Sequence, residues 1–194
     1  PRYDCEGQWQ AADRSSTREF SAVAFFFARH LHRRLGVPIG IIQSTVGGTP
    51  AQAWMSRQAL ETQPRFRRLL NDFDDELREH RRDETLPDPL HKHQPTVLYH
   101  AMIAPLAPYG IKGVIWYQGE SNTYDPYLYS HLFPTLIYNW RRDWNRNFSF
   151  YWAQIAPFAY EQRPAGRPLV GAGLREAQAQ TLAKVPNSGL VSLL

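Results

Sequence analysis

The chain has 194 residues, of which 43% are hydrophobic and 21% charged, and its formal net charge at pH 7 is +4. This composition indicates one ordinary globular domain and excludes a disordered tail, a coiled coil and a collagen-like rod. No run of ~18 apolar residues is present, so we expect no membrane insertion. The arginine pairs are scattered among acidic residues, which argues against nucleic-acid binding. The single cysteine, Cys5, excludes an internal disulfide and a thiolate-rich metal site.

Continuous apolar runs alternate with helical periodicity along the chain. This order predicts an α/β fold with a parallel sheet that helices cover on both faces. Strands are predicted at residues 39–43, 111–117, 148–155 and 190–194. Helices are predicted from a capping box at Ser16 to Gly36, from Pro50 onward, and at residues 65–82, 97–106, 127–144 and 174–183. We expect Pro134 to kink or interrupt the helix at 127–144, and a loop at residues 164–173.

No linker divides the sequence, so we expect a single domain over residues 1–194. The last predicted strand ends the sequence, although a buried strand is normally followed by a loop and a helix. The chain also begins with Pro1 rather than Met. We therefore expect it to be part of a longer protein, with the domain incomplete at both ends.

A glycine-rich turn follows the first predicted strand, at residues 44–49. Ligands of open parallel sheets bind at the carboxyl ends of the strands. The paired Gly47 and Gly48 allow close backbone approach and can direct N–H groups at an anion, and the helix opened by Pro50 adds its positive end. The pattern indicates half of an oxyanion hole. The alternative is a tight strand-to-helix turn, which glycine-rich sequences commonly form.

A second polar turn follows the strand at 111–117 and carries four hydrogen-bonding side chains. The amides of Gln118 and Asn122 can donate N–H groups to a developing oxyanion. Glu120 is suited to orienting a partner or binding a hydroxyl. Ser121 lacks the closing glycine of a G-x-S-x-G nucleophile elbow. The alternative is a polar turn in which Asn122 caps the following helix.

Two histidines, His91 and His93, flank Lys92 close to Asp88. This spacing raises the question of a metal site, but without a third and fourth ligand nearby a solvated loop is the favoured interpretation. The sequence contains neither a Walker A loop nor a G-x-G-x-x-G segment. We expect neither a metal nor an organic cofactor.

Several motifs occur in order along nearly the whole chain. They are FSAVAFFFA at 20–28, GVPIG at 36–40, GGTPAQAW at 47–54, YHAMIAPL at 99–106, IKGVIWYQGESN at 111–122 and LREAQ at 174–178. Together they resemble the sialate O-acetylesterase family of the SGNH hydrolase superfamily, and the segment 116–122 is the most specific. The resemblance implies a flavodoxin-like three-layer α/β/α sandwich. It also implies a serine esterase without cofactors that removes acetyl groups from sugars such as sialic acid, and a secreted or periplasmic full-length protein.

The resemblance implies two groups of site residues. The catalytic, oxyanion-binding group is Gly47, Gly48, Gln118 and Asn122. The substrate-binding group is Glu120, Thr49 and Trp54. One departure is Val46, which stands where tryptophan is common. The nucleophile of the family lies in a G-Q-S-N-M-like segment, which does not occur in this chain. The base of the family lies in a D-x-x-H or H-P segment that we expect downstream of the last predicted strand. No serine or histidine here is therefore assigned to catalysis.

Two other functions remain open at this stage. An aromatic-rich domain of the same fold can bind a glycan without performing chemistry. A relative of the GDSL lipases would act on acyl lipids, although no apolar lid segment is evident. An O-acetylated sugar or glycan is the partner that we expect.

Overall fold

The computed structural model describes residues 8–158 and 170–193, which fall into two units, Pro1–Thr45 and Val46–Leu194. The first unit is built around helix α1, Ala22–Leu35, and the second contains the sheet. Cys5 lies outside the described residues, as do positions 164–169 of the predicted loop and Leu194. The single domain over residues 1–194 stays a prediction.

Helix α1 begins later than the capping box predicts. Its N-cap is Ser21, whose hydroxyl accepts the Ala24 N–H at 3.3 Å, and not Ser16. Ser16 does not cap the helix because its hydroxyl accepts the Asp13 N–H at 3.0 Å and donates to the Ala11 carbonyl at 2.8 Å, within a turn that precedes the helix. The C-terminal end is as predicted, at Gly36 with φ 68°, a left-handed conformation that glycine adopts without strain.

The predicted strand at residues 39–43 is wrong, because this segment is irregular in the structure. A strand exists only where its backbone N–H and C=O groups pair with a neighbour. None of the described residues forms such a ladder with residues 39–43. The segment is also partly exposed, with Ile42 at 40%, so its apolar composition alone was a misleading signal.

The described residues of the second unit form three strands and four α-helices. The strands are β1 (Gly113–Tyr117), β2 (Ser149–Ala153) and β3 (Ser188–Val191). The helices are α2 (Arg57–Glu61), α3 (Arg67–Arg82), α4 (Pro126–Asp143) and α5 (Val170–Lys184). Short 3-10 turns occupy Ala51–Trp54, Pro64–Phe66, Ala104–Leu106 and Glu120–Asn122, and a π-helix occupies Tyr99–Ile103. Positions 170–173, predicted as loop, form the start of α5.

The sheet is parallel, as predicted, with strand order β1-β2-β3. Gly113 pairs with Ser149, and the register continues to Tyr117 opposite Ala153. One face of β2 is buried under α4, where the Phe133 ring lies 5.1 Å from that of Trp152. The other face carries Tyr151, which is 45% exposed. In the described strands, buried and exposed side chains therefore alternate. The apolar runs had instead predicted a sheet that helices cover on both faces.

Helix α4 continues without interruption through Pro134. Proline lacks the N–H that would bond to the carbonyl four residues earlier, that of Ser130. In the structure Lys184 of α5 supplies the missing donor, with its Nζ 3.0 Å from the Ser130 carbonyl oxygen. The hydroxyl of Tyr138 returns a bond to the Lys184 carbonyl at 2.7 Å. The carbonyl that Pro134 leaves unpaired therefore links α4 to α5, and the helix does not end there.

A buried arginine on α4 organises the amino ends of the strands. The guanidinium of Arg141 donates to three backbone carbonyls, those of Phe148, Pro186 and Asn187, at 2.8–3.1 Å. These residues lie just before β2 and β3, so one side chain ties both strand starts to the helix. Burial lowers the pKa of Arg141, and the three carbonyl oxygens satisfy its donors in place of a carboxylate.

Among the described residues, no helix combines the length and the apolar character needed to cross a membrane.

Candidate active site

The two polar turns singled out in the sequence meet at the carboxyl end of β1. The side-chain amide of Gln118 donates to the Thr49 carbonyl oxygen at 3.0 Å, and the backbone N–H of Ala51 donates to Asn122 Oδ1 at 2.8 Å. Residues about 70 positions apart in the sequence are thus joined directly. The first turn reaches this position although no strand precedes it, because the hydrogen bonds to the second turn hold it there.

Asn122 is the centre of this contact and is only 2% exposed. Its Oδ1 accepts from the Ala51 N–H and from Gln118 Nε2, the latter at 2.7 Å. Its Nδ2 donates to Gln52 Oε1 at 3.0 Å. Because the backbone N–H of Ala51 can only donate, it fixes which end of the Asn122 amide is oxygen.

The number of N–H bonds already in use distinguishes Gln118 from Asn122, the two amides that the sequence left as alternative oxyanion donors. Gln118 Nε2 has two N–H bonds, and the Thr49 carbonyl and Asn122 Oδ1 accept both. Asn122 Nδ2 donates one N–H to Gln52, and none of the described residues accepts the second. This geometry favours Asn122 as a direct donor to a ligand and Gln118 as the residue that holds Asn122 in position.

The glycine turn contributes backbone donors. Gly47 and Gly48 are exposed, and Gly48 has φ 70°. Within the described parts of the chain, nothing accepts a hydrogen bond from the N–H of Gly47, Gly48 or Thr49. Donors without protein acceptors beside a buried amide form the kind of arrangement that stabilises an oxyanion. The roles of Gly47, Gly48 and Asn122 in catalysis stay predictions.

The second turn is held from below by close packing and by α5. A Cβ on Gly119 would lie 2.6 Å from side-chain atoms of both Ile155 and Leu174, so only glycine fits. The fully buried Gln178 donates to the Gln118 carbonyl oxygen and accepts the Ile155 N–H, both at 3.0 Å. Gln178 therefore joins the ends of β1 and β2. Gln178 ends the LREAQ motif, but helical periodicity gives no signal for this role and the sequence assigned it none.

The structure buries Thr49 and Trp54, and their substrate-binding roles stay predictions. Trp54 is 3% exposed, and its ring packs edge-on against that of Trp116, with centroids 6.2 Å apart. Its Nε1 donates to Thr49 Oγ1 at 3.0 Å, and that hydroxyl donates to the Val46 carbonyl at 2.8 Å. Their hydrogen bonds stabilise the glycine turn.

Glu120 and Ser121 lie at the surface of the second turn, Glu120 exposed and Ser121 half-buried. The substrate-binding role of Glu120 stays a prediction. Tyr129 lies beneath them, fully buried, and its hydroxyl donates to Gln118 Oε1 at 3.3 Å. Burial raises the pKa of Tyr129, so its hydroxyl stays protonated and serves as a permanent donor.

The described residues contain no group of three or more His, Cys, Asp or Glu side chains placed to hold a metal ion. His91 and His93 belong to an exposed loop, as the sequence predicts. The loop is not merely solvated, however. Lys92 and His93 bind the carbonyls of the glycine turn, a contact that sequence analysis missed.

Comparison with known proteins identifies the family. The family model described as "Carbohydrate esterase, sialic acid-specific acetylesterase" matches residues 3–192. The chain belongs to this family. Sialate O-acetylesterases of Homo sapiens and Pongo abelii are each 39% identical to it over 143 residues, which cover 73% of this chain and 25% of theirs. The Rattus norvegicus sialate O-acetylesterase is 34% identical over 157 residues, 73% of this chain and 29% of its own.

The solved structure of a carbohydrate acetylesterase from Xanthomonas citri superimposes with a TM-score of 0.78 at 35% sequence identity. The match covers 97% of this chain and 38% of that protein. It confirms the predicted α/β fold of the SGNH hydrolase type. The chain spans between a quarter and two fifths of the length of these relatives.

Proposed function

We propose that the intact protein is a carbohydrate O-acetylesterase that hydrolyses acetyl esters on sugars, sialic acid among them. Membership of the family supports this assignment. The observation that carries it is the network at Asn122. One buried amide joins the glycine turn to the end of β1 and keeps an N–H that no described residue accepts.

The proposed reaction is acyl transfer through a serine. The serine oxygen attacks the acetyl carbonyl while a histidine accepts the serine proton, and a tetrahedral oxyanion forms. The sugar oxygen then leaves with that proton. Water, deprotonated by the same histidine, attacks the acetyl-enzyme in turn and releases acetate. No serine or histidine of this chain is assigned to either role.

The residues of this chain act on the oxyanion. The N–H of Gly48 or Thr49 and the second N–H of Asn122 Nδ2 donate to it, in a site already organised before the substrate binds. Gln118 and Gln52 hold the Asn122 amide, so little reorganisation is needed when charge develops. The polar surface of the turn at Glu120 faces the sugar.

The test is acetate release by the purified intact protein. We expect release from O-acetylated sialic acid, followed by ¹H NMR, and hydrolysis of 4-nitrophenyl acetate in preference to the octanoate ester. We also expect a fluorophosphonate probe to label one serine. Preference for the octanoate ester would favour a lipase relative. Binding to an O-acetylated glycan array without acetate release would favour a non-catalytic glycan-binding domain.

A further inference from the structure

The loop at residues 91–96 lies against the glycine turn and binds the carbonyl groups of Gly47 and Gly48. Lys92 Nζ donates to the Gly47 carbonyl oxygen at 2.9 Å, and His93 Nε2 lies 2.9 Å from the Gly48 carbonyl oxygen. A carbonyl can only accept, so Nε2 of His93 carries a proton here. Two adjacent residues of this loop thus bind two adjacent peptide groups of the glycine turn.

Holding these carbonyls also determines where the N–H groups point. In a trans peptide the C=O and N–H of the same plane point in opposite directions. The Gly47 carbonyl shares its peptide with the Gly48 N–H, and the Gly48 carbonyl shares its peptide with the Thr49 N–H. Both N–H groups are therefore directed away from Lys92 and His93. They are the backbone donors that no described residue accepts.

Glycine makes this restraint necessary. A residue without Cβ populates positive and negative φ about equally, so the Gly47-Gly48 peptides rotate easily unless something holds them. Gly48 has φ 70°, and Thr49 has its side chain buried, so rotation is concentrated in the glycine pair. Two hydrogen bonds to the carbonyls, one of them charged, select a single orientation of the turn.

Two hydrogen bonds anchor the loop directly after the contact. Gln94 donates to the Glu76 carboxylate on α3, and the Thr96 N–H donates to the Gln52 carbonyl oxygen at 3.0 Å. Thr96 is buried with φ 71°, a conformation that is strained for a β-branched residue. Such strain persists only where the surroundings impose it, and it is common at functional sites. Here it turns the chain so that the loop reaches the glycines.

We infer that Lys92 and His93 are positioning residues of the proposed esterase, which orient the Gly48 and Thr49 N–H groups toward the oxyanion by holding the peptide carbonyls. The inference rests on the proposed function. Neither side chain contacts the reacting atoms, so their effect is on the transition state through the backbone.

The test compares apolar and conservative variants of the intact protein with 4-nitrophenyl acetate as substrate. We expect His93→Leu and Lys92→Met each to lower kcat about tenfold, a fraction of the 10²–10³ lost with a direct oxyanion donor, and to leave KM within about twofold. His93→Gln keeps an N–H near the same place, and Lys92→Arg keeps the charge, so both are expected to restore most of kcat. His30→Leu and Lys112→Met change exposed residues outside the loop and serve as matched controls.

Three outcomes contradict this inference. Unchanged kcat in His93→Leu and Lys92→Met, with an active wild type, overturns it and leaves the proposed function intact. A higher KM at constant kcat assigns the loop to substrate binding instead. A wild type that hydrolyses no acetyl ester overturns the proposed function, and the inference with it. A crystal structure of His93→Leu gives a further check, because we expect the Gly48–Thr49 peptide to rotate.

Discussion

Replacing Asn122 by alanine tests the centre of the candidate site. The substitution removes the acceptor of the Ala51 N–H, one acceptor of the Gln118 amide and the donor to Gln52 Oε1. It also removes the second N–H of Asn122 Nδ2, which no described residue accepts. The same change therefore has a structural and a catalytic consequence, and their sizes can be worked out separately.

The structural cost follows from the three lost hydrogen bonds. The Ala51 backbone N–H is fixed and buried, and leaving such a donor unsatisfied costs about 1–3 kcal/mol. Gln118 and Gln52 each lose one bond, at about 0.5–1.5 kcal/mol. We expect the free energy of unfolding to fall by about 2–6 kcal/mol. The catalytic cost is about 2.7–4 kcal/mol of transition-state stabilisation, a decrease in kcat of about 10²–10³.

The assay is steady-state hydrolysis of 4-nitrophenyl acetate by the intact protein, well below the thermal midpoint of each variant. Asn139→Ala is a matched control, because Asn139 is also a buried asparagine whose Oδ1 accepts a backbone N–H, that of Ser56, at 2.7 Å. It lies outside the two turns. We expect a comparable loss of stability from Asn139→Ala with kcat unchanged.

Three results would refute this reasoning. Asn122→Ala with kcat within about threefold of the wild type would show that its amide does not bind the oxyanion. Equal losses of kcat in Asn122→Ala and Asn139→Ala would show that the effect follows stability alone. A rise in KM at constant kcat would assign Asn122 to ground-state binding.

Three further substitutions test the scaffold. Gly119→Ala introduces a Cβ where no space exists, so we expect about 1–3 kcal/mol of destabilisation in urea unfolding and a lower kcat. Arg141→Lys replaces three separate nitrogens by one, which cannot reach all three carbonyls in their present positions, and we expect a loss of about 2–4 kcal/mol in the same assay. Burial and the hydrogen bond to Asp143 raise the pKa of Tyr99 to about 12. The unfolded chain loses this proton near pH 10, so stability falls from pH 10 to 12, less steeply in Tyr99→Phe.

Family, sheet type and most helices were accessible from the sequence because they depend on local signals. The apolar runs at 111–117 and 148–155 contain β1 and β2, and a glycine ends α1 where a left-handed residue is required. The segment 116–122 was specific enough to indicate an esterase. These properties come from periodicity, turn chemistry and motif spacing within a few residues.

The errors share one cause, which is that pairing and burial are not local. Residues 39–43 have the composition of a strand, but a strand requires a partner, and none of the described residues pairs with them. Ser16 has the spacing of an N-cap, but its hydroxyl bonds to Asp13 and Ala11 in a preceding turn. The burial of the Trp54 ring, which is 3% exposed, also depends on tertiary packing and not on the motif in which Trp54 lies.

Only the tertiary structure decided which amide keeps a free donor. Gln118 and Asn122 have the same functional group and lie four residues apart, so the sequence offers no basis for choosing between them. The choice depends on the Thr49 carbonyl and the Ala51 N–H, which come from a turn about 70 positions earlier. The contact of Lys92 and His93 with the glycine carbonyls joins residues 45 positions apart. Each polar group has a fixed number of donors and acceptors, and only the folded structure determines which of them are already in use.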